Sequence, residues 1–291
     1  MPPLPPPAAI PPTAATKYWI DGRLVPAAEA AVPLTDLAVS RGYAAFDALR
    51  TYGKVPFLLD EHLQRLERTC GELFLKLPRP RAEIRDIVHG TIAANALPDC
   101  LVRIFITGGD ASGFVPEHRE RLLVLVDPLR AYAARQYEQG IAIATSRLER
   151  TLPGAKSTTY LAGVWETIRA KQRGFDEVVF CDVNGDILEG TTFSIVVVKG
   201  NELVSPRAAV LHGITGEHLF QLAAEAGFKI RRAPISPTTL AAADEVFITS
   251  STRELMPVSR VDERTIGNGK PGAITRHLHE MYRTSVRAIC G

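Results

Sequence analysis

Residues 151–165 read TLPGAKSTTYLAGVW, and Lys156 is the only charged residue in that stretch. Lysine is scarce in this chain, with eight Lys among the 34 basic residues. Small, uncharged neighbours beside a Pro-Gly turn suit a desolvated amine, one poised for imine formation. The plainer alternative is an exposed loop lysine. A second lone charge, Glu189, ends DVNGDILEG and is followed by the uncharged run GTTFSIVVV. Its carboxylate either holds a proton on a basic ring nitrogen or caps a turn. The small residues after it let a planar group approach the backbone.

Two further stretches suit an anion. In LHGITGEHLF, Gly213-Ile214-Thr215 precedes an amphipathic helix, so unpaired N–H groups and a hydroxyl gather at its N-terminus. In EVFITSSTRELMPV, a strand runs into the hydroxyl-rich turn Thr249-Ser250-Ser251-Thr252. Either feature alone is ordinary capping chemistry. Arg65, one helical turn after Glu61 and His62, offers a guanidinium for the same anion. An amine nucleophile, an isolated carboxylate and two anion cradles together form the inventory of a pyridoxal-phosphate site.

These groups need elements to hold them. Tyr18-Trp19-Ile20, Asp21-Gly22 and Leu24-Val25 predict a hairpin, and residues 46–52 and 55–59 a second strand pair. Asp60 is the expected cap of a helix with Leu63, Leu66, Cys70, Leu73 and Phe74 at helical spacing. Ile84, Ile87, Val88 and Ile92 mark the next helix, and strands at 101–107 and 122–126 flank the loop GGDASG. Further on, strands are expected at 141–145, 177–181, 194–198 and 245–249, and helices at 160–174, 216–227 and 274–289. This mixture lacks the regular alternation of a doubly wound sheet and predicts an α+β fold in two lobes. The division expected is a proline-rich tail at 1–16, a smaller domain at 17–127, a linker at 128–139 and a larger domain at 140–291.

Composition narrows the partners. The 291 residues carry 34 Lys+Arg against 32 Asp+Glu, a formal charge of +2, which argues against a nucleic-acid partner. With 46% hydrophobic and 23% charged residues the chain reads as globular, and no run of eighteen apolar residues predicts a membrane span. Cys70, Cys100, Cys181 and Cys290 are scattered, without zinc spacing, so no metal site is expected; reduced thiols point to a cytoplasmic location. Seven prolines in the first twelve residues exclude a secretory h-region and suit a polyproline-type tail.

Six segments in order now carry a resemblance: RGYAAFDALRTY, LDEHLQRL, GAKSTTYL, LEGTTFS, LHGITG and DEVFITSSTRELMPV. The chain, from about Lys17 to its last helix, resembles the class IV aminotransferases, the fold-type IV pyridoxal-phosphate family. That family includes branched-chain and D-amino-acid aminotransferases and aminodeoxychorismate lyase. The resemblance implies pyridoxal 5'-phosphate as cofactor, with Lys156 forming the imine and later shuttling a proton. It implies that Glu189 pairs with the pyridinium nitrogen. Arg65, the amides of Ile214 and Thr215, and the turn at Ser251 and Thr252 are then the phosphate grip, and Tyr160 reaches the phenolic oxygen. A transaminase acting on an amino acid and a 2-oxo acid is the leading expectation, either on D-amino acids or on branched-chain L-amino acids. A pyruvate-releasing lyase and a non-catalytic binding protein are the alternatives.

The resemblance also implies a homodimer, with the loop at 108–117 lent to the neighbouring subunit. Departures from the family pattern bear on cofactor affinity and pocket shape, and the one at Arg41 on substrate. Thr159 stands where Asn is common, Phe193-Ser194 where Ser-Asn is common, and Gly216 where the arginine of G-I-T-R is common. Arg41 takes an aromatic position at the pocket wall, so Arg41, Arg103 and Thr252 are the candidates for a substrate carboxylate. Val39 replaces the tyrosine of the D-amino-acid enzymes, while the spacing from Lys156 to Tyr160 is the one those enzymes share.

Overall fold

Strand alternation and helical periodicity build two sheets, in a computed structural model that describes residues 15–291. The N-terminal unit comprises residues 15–130 together with Ala155–Thr159 and Ala288–Gly291. Its strands are β1 (Lys17–Ile20), β2 (Arg23–Pro26), β3 (Ala44–Tyr52), β4 (Val55–Pro56), β5 (Cys100–Thr107) and β6 (Leu122–Pro128). They form one antiparallel sheet in the order β2-β1-β6-β5-β3-β4. Its helices are α1 (Leu37–Arg41), α2 (Leu59–Glu72) and α3 (Arg81–Ala93).

Period-two alternation puts Ala45 and Leu49 of β3, Val102, Ile104 and Ile106 of β5, and Val124 and Val126 of β6 into one core. Leu59, Leu63, Leu66 and Cys70 of α2 and Ile84, Val88 and Ile92 of α3 fill it from the helical side. Each fully buried Leu or Ile there stabilises the unit by roughly 1.5–3 kcal/mol. The same parity sends Asp47 to the helix-covered face, a charge in the core, and Phe46 to the opposite face. There Phe46 stacks on Phe105 with centroids 5.5 Å apart.

Two local expectations are corrected here. The strand expected at 55–59 stops at Pro56, and Leu58, at φ 53°, is the residue before α2. Asp60 therefore lies inside the first helical turn, where its charge still complements the helix dipole, and does not cap it. The tail expected at 1–16 falls outside the described residues except at its end, where the buried Thr16 accepts a hydrogen bond from Ala27 N–H at 2.8 Å.

The C-terminal unit comprises Ala131–Gly154 and Tyr160–Arg287. Its strands are β7 (Ile141–Ser146), β8 (Glu177–Cys181), β9 (Ile187–Gly190), β10 (Ser194–Lys199), β11 (Glu202–Ser205), β12 (Lys229–Arg232), β13 (Glu245–Ser250), β14 (Glu254–Val261) and β15 (Arg264–Thr265). The sheet runs β12-β11-β10-β13-β14-β7-β8-β9, with β15 paired to β14. Parallel pairs β11/β12, β14/β7 and β7/β8 interrupt an otherwise antiparallel order, so the fold is mixed α+β. Helices α4 (Ala134–Gln139), α5 (Leu161–Gln172), α6 (Ile214–Glu225), α7 (Pro237–Ala241) and α8 (Ala273–Cys290) complete the chain.

Strand β14 is absent from the sequence expectations although it lies mid-sheet. Pro257 sits within it, opposite Phe247, where it supplies no N–H, and the strand opens at Glu254 with φ 57°. Helix α6 begins at Ile214, two residues before the expected start, and α4 occupies part of the stretch 128–139. All four cysteines are free; burial pushes the Cys181 thiol up to about 11 and Cys70 up to about 12, which keeps both protonated. Among the described residues no helix is long and apolar enough to cross a membrane.

Candidate active site

Within the N-terminal unit, backbone pairing fixes the lysine. Residues 156–158 run beside β3: Phe46 N–H donates to Lys156 O at 2.9 Å, Thr158 N–H to Ala44 O at 3.0 Å, and a β-bridge joins Ala45 to Ser157. Thr158 Oγ1 donates to Gly42 O at 2.8 Å, and Lys156 N–H to Thr69 Oγ1 of α2 at 3.3 Å. The half-buried Lys156 side chain lies with Nζ 4.7 Å from the Phe46 ring centroid, an aromatic floor for a cation.

On the other face of β3, Asp47 is 0% exposed and bound twice by Arg65. Arg65 Nε donates to Oδ2 and Nη2 to Oδ1, both at 2.8 Å, and His62 Nδ1 lies 2.7 Å from Oδ1. Burial alone would raise the Asp47 pKa, but the charges and hydrogen bonds of Arg65 and His62 outweigh it and hold the carboxyl well below the usual range. An ionised Asp47 only accepts, so His62 Nδ1 carries the proton. Burial pushes His62 down from its ordinary value against the pull of Asp47, with the charges of Arg65 and Lys156 adding to the depression. One edge of the Arg65 guanidinium, Nε and Nη2, is thus engaged by Asp47.

The two arginines expected at the substrate both belong to this unit. Arg41 is exposed, donates to Ser40 O at 3.0 Å and lies 5.7 Å from the Phe114 ring centroid. Arg103 donates to Asp127 Oδ2 at 2.5 Å, beside Tyr18, whose hydroxyl also donates to Asp127.

Within the C-terminal unit, Glu189 is on β9, the last strand of the sheet, and is 5% exposed. Its Oε1 accepts from Arg150 Nη1 at 2.7 Å, and the Arg150 guanidinium lies 5.9 Å from the Tyr160 ring centroid. Arg150 is a residue the sequence reading missed. Its signal is its place, directly before the uncharged run that draws attention to Lys156. Tyr160 precedes α5, whose Gly163 packs close to both Tyr160 and Thr191.

Glu189, Gly213, Gly216 and Thr249 line one and the same cleft. Helix α6 begins there with Ile214 and Thr215, no side chain caps it, and its first-turn N–H groups have no partner within the helix. Thr249 is 2% exposed, and its Oγ1 is buried without a hydrogen-bond partner. A Cβ on Gly216 would lie 3.2 Å from that oxygen, so the glycine keeps the helix start and the hydroxyl close together. Uncapped amides beside an unsatisfied buried hydroxyl form a cradle for an anion such as phosphate. A buried carboxylate in the same cleft suits a protonated ring nitrogen. Ser251 and Thr252 lie beyond β13 in its turn to β14, with Thr252 Oγ1 3.3 Å from the Tyr132 hydroxyl.

Comparisons with known proteins give these arrangements relatives. The family model described as amino-transferase class IV matches residues 44–261. A Methanocaldococcus jannaschii protein, provisionally named a branched-chain-amino-acid aminotransferase, is 31% identical over 274 residues, covering 92% of this chain and 95% of its own. The D-alanine aminotransferase of Bacillus licheniformis is 28% identical over 280 residues, covering 93% and 97%. Among solved structures, the T.th. branched-chain amino acid aminotransferase with pyridoxamine 5'-phosphate superposes with a TM-score of 0.88 at 26% identity, covering 94% of each chain.

Proposed function

This chain belongs to the class IV aminotransferases, and on that premise we propose that it exchanges an amino group between a branched-chain L-amino acid and a 2-oxo acid, with pyridoxal 5'-phosphate as cofactor. It is a transaminase. The observation that carries the cofactor reading is the cleft shared by buried Glu189, the uncapped start of α6 and the unpartnered Thr249 hydroxyl. A ring nitrogen and a phosphate fit the groups that line it. The relatives named for branched-chain amino acids favour the L-series over D-alanine.

Bound pyridoxal phosphate supplies an electron sink for the carbanion at the amino acid's Cα. Lys156 Nζ is the amine that would hold the cofactor at its carbonyl carbon, and as a free base it would carry the proton between the substrate's Cα and the accepting carbon. The backbone pairing of residues 156–158 to β3 holds that amine in place, and the Phe46 ring gives its cationic form a surface to rest on. Glu189, faced by the Arg150 counter-charge, holds the proton on the ring nitrogen. The amides of Ile214 and Thr215 and the hydroxyls of Thr249 and Ser251 would hold the phosphate, and Arg65 is assigned to it on the family resemblance alone. Tyr160 is assigned to the phenolic oxygen. Thr252, Arg41 and Arg103 are assigned to the substrate, with Arg103 also paired to Asp127.

A homodimer and a cytoplasmic location complete the proposal. Phe114 and Val115, 79% and 66% exposed on the loop at 108–117, are apolar surface that supports a subunit contact there. Sedimentation at working concentration tests this, and a monomer overturns it. The functional test is a half-reaction: protein loaded with cofactor is mixed separately with L-leucine, L-glutamate, D-alanine and D-glutamate while the bound-cofactor absorbance band is followed. Loss of the band with L-leucine is the expected result. Loss only with the D-series moves the substrate to D-amino acids, and a band that no donor removes points to the lyase.

A further inference from the structure

Arg253 is a buried cation outside the residues assigned above. It follows Thr252 in the turn between β13 and β14 and is 7% exposed. Its Nη2 donates to Glu177 at the start of β8, and its Nη1 to Thr192 Oγ1 at 3.0 Å and Ser250 Oγ at 3.4 Å. Tyr132 and Phe193 flank the guanidinium at 5.0 and 5.7 Å from their centroids. The backbone is held as well: Arg253 N–H donates to Ser250 Oγ at 3.2 Å, and the Tyr137 hydroxyl donates to Arg253 O at 3.0 Å.

Phe193 carries this network to Glu189. A Cβ on Gly190 would sit 2.1 Å from Phe193 Cζ, so the ring rests directly on the backbone of the residue next to Glu189. Gly190 N–H also donates to Phe193 O at 2.9 Å. One side chain therefore touches both the 250–252 turn and the segment that fixes the end of β9.

A buried ion pair is weak evidence for stability, since well-packed apolar residues often replace such pairs without loss. A planar fork that serves three acceptors in set directions is instead a geometric device, one that lysine does not reproduce. We propose that Arg253 is a positioning residue that locks the 250–252 turn to the strand end bearing Glu189, and thereby sets both amino-donor affinity and the environment of the bound cofactor. This rests on the transaminase reading above.

The test compares R253K, R253M and E177Q with unsubstituted protein, each loaded with pyridoxal phosphate. Far-UV circular dichroism and melting temperature report the fold. Visible circular dichroism of the bound cofactor reports its environment, and steady-state kinetics separates KM from kcat. R253K is expected to keep the fold, to raise the donor KM about tenfold or more with a smaller fall in kcat, and to alter the visible dichroism. E177Q, which leaves Arg253 in place without its carboxylate partner, is expected to shift both readouts in the same direction by less. A lowered melting temperature with KM and visible dichroism unmoved would reduce Arg253 to a structural role and overturn the proposal. Should R253M fail to fold, R253K and E177Q decide by the same criteria. Unsubstituted protein that shows no bound-cofactor band overturns the functional reading itself, whereas a normal band that no variant perturbs overturns only the role of Arg253.

Discussion

Asp47 and Thr249 are equally hidden from water, yet their surroundings are opposites. In the N-terminal unit Asp47 meets two nitrogens of Arg65 and one of His62, so a buried charge is answered on every side. In the C-terminal unit the Thr249 hydroxyl meets nothing, and the start of α6 beside it has no cap. The first arrangement balances its buried carboxylate from within the fold, on the strand that pairs with the lysine segment. The second leaves a buried hydroxyl without a hydrogen bond beside a helix start without a side-chain cap, groups that the proposed phosphate would satisfy. The two regions therefore differ in how they treat polarity: one pairs its buried carboxylate within the fold, the other leaves a buried hydroxyl without a hydrogen bond.

The largest effect expected comes from Lys156→Ala. Donor-driven loss of the bound-cofactor band should slow by roughly a thousandfold or more, with far-UV dichroism unchanged. Persistence of a borohydride-trapped adduct in that variant would move the chemistry to another amine. Next comes Asp47→Asn, which leaves Arg65 buried without its counter-charge and should destabilise the protein by about 3–5 kcal/mol in urea unfolding. A loss below about 1 kcal/mol would erase the contrast, because the first region would then be no more dependent on its charges than an exposed pair.

Thr249→Val tests the other side with the opposite sign. Removing an unsatisfied buried hydroxyl should leave the stability of the cofactor-free protein unchanged or raised, while the dissociation constant for pyridoxal phosphate weakens about tenfold. Loss of stability without any change in affinity would show that the hydroxyl belongs to the fold after all.

The smallest effect is in the acid limb. His62 is depressed in the folded state, so its contribution is full above the ordinary histidine value and is lost as pH falls below it, the unfolded chain taking the proton first. Asp47, also depressed, gives a further loss only below the ordinary carboxylate range. Unfolding free energy measured against pH should therefore decline in two stages, and His62→Gln should flatten the first. A single step near the carboxylate range would show that His62 binds its proton as readily in the folded protein as in the unfolded chain.

Much of this was legible in single residues and little of it in pairs. Lys156 and Glu189 stand out because each is a lone charge in an uncharged run, and periodicity marks α2, α3 and α8 without help. The partners escape such reading. Arg150 reaches Glu189 across 39 positions, and Asp47 reaches His62 and Arg65 only because β3 packs on α2. The hydroxyl run 249–252 divides in space, with Thr249 on β13 facing the cleft and Ser251 and Thr252 in the turn beyond. Pro257 conceals β14, since a proline in a central strand breaks the pattern by which strands are recognised.

The pairing of residues 156–158 with β3 also orders events in time. Thr158 and Gly42 are 116 positions apart, and β7 lies between them in the chain. A nascent chain leaving the ribosome holds β1 to β6 well before it holds the segment that completes the edge of β3. Closing that contact carries a loop-entropy cost and raises contact order, which slows folding. Until then the Phe46 amide and Ala44 carbonyl lie on an open strand edge, where another chain can pair. Truncations ending between β6 and residue 155 should therefore aggregate more readily than the full-length chain.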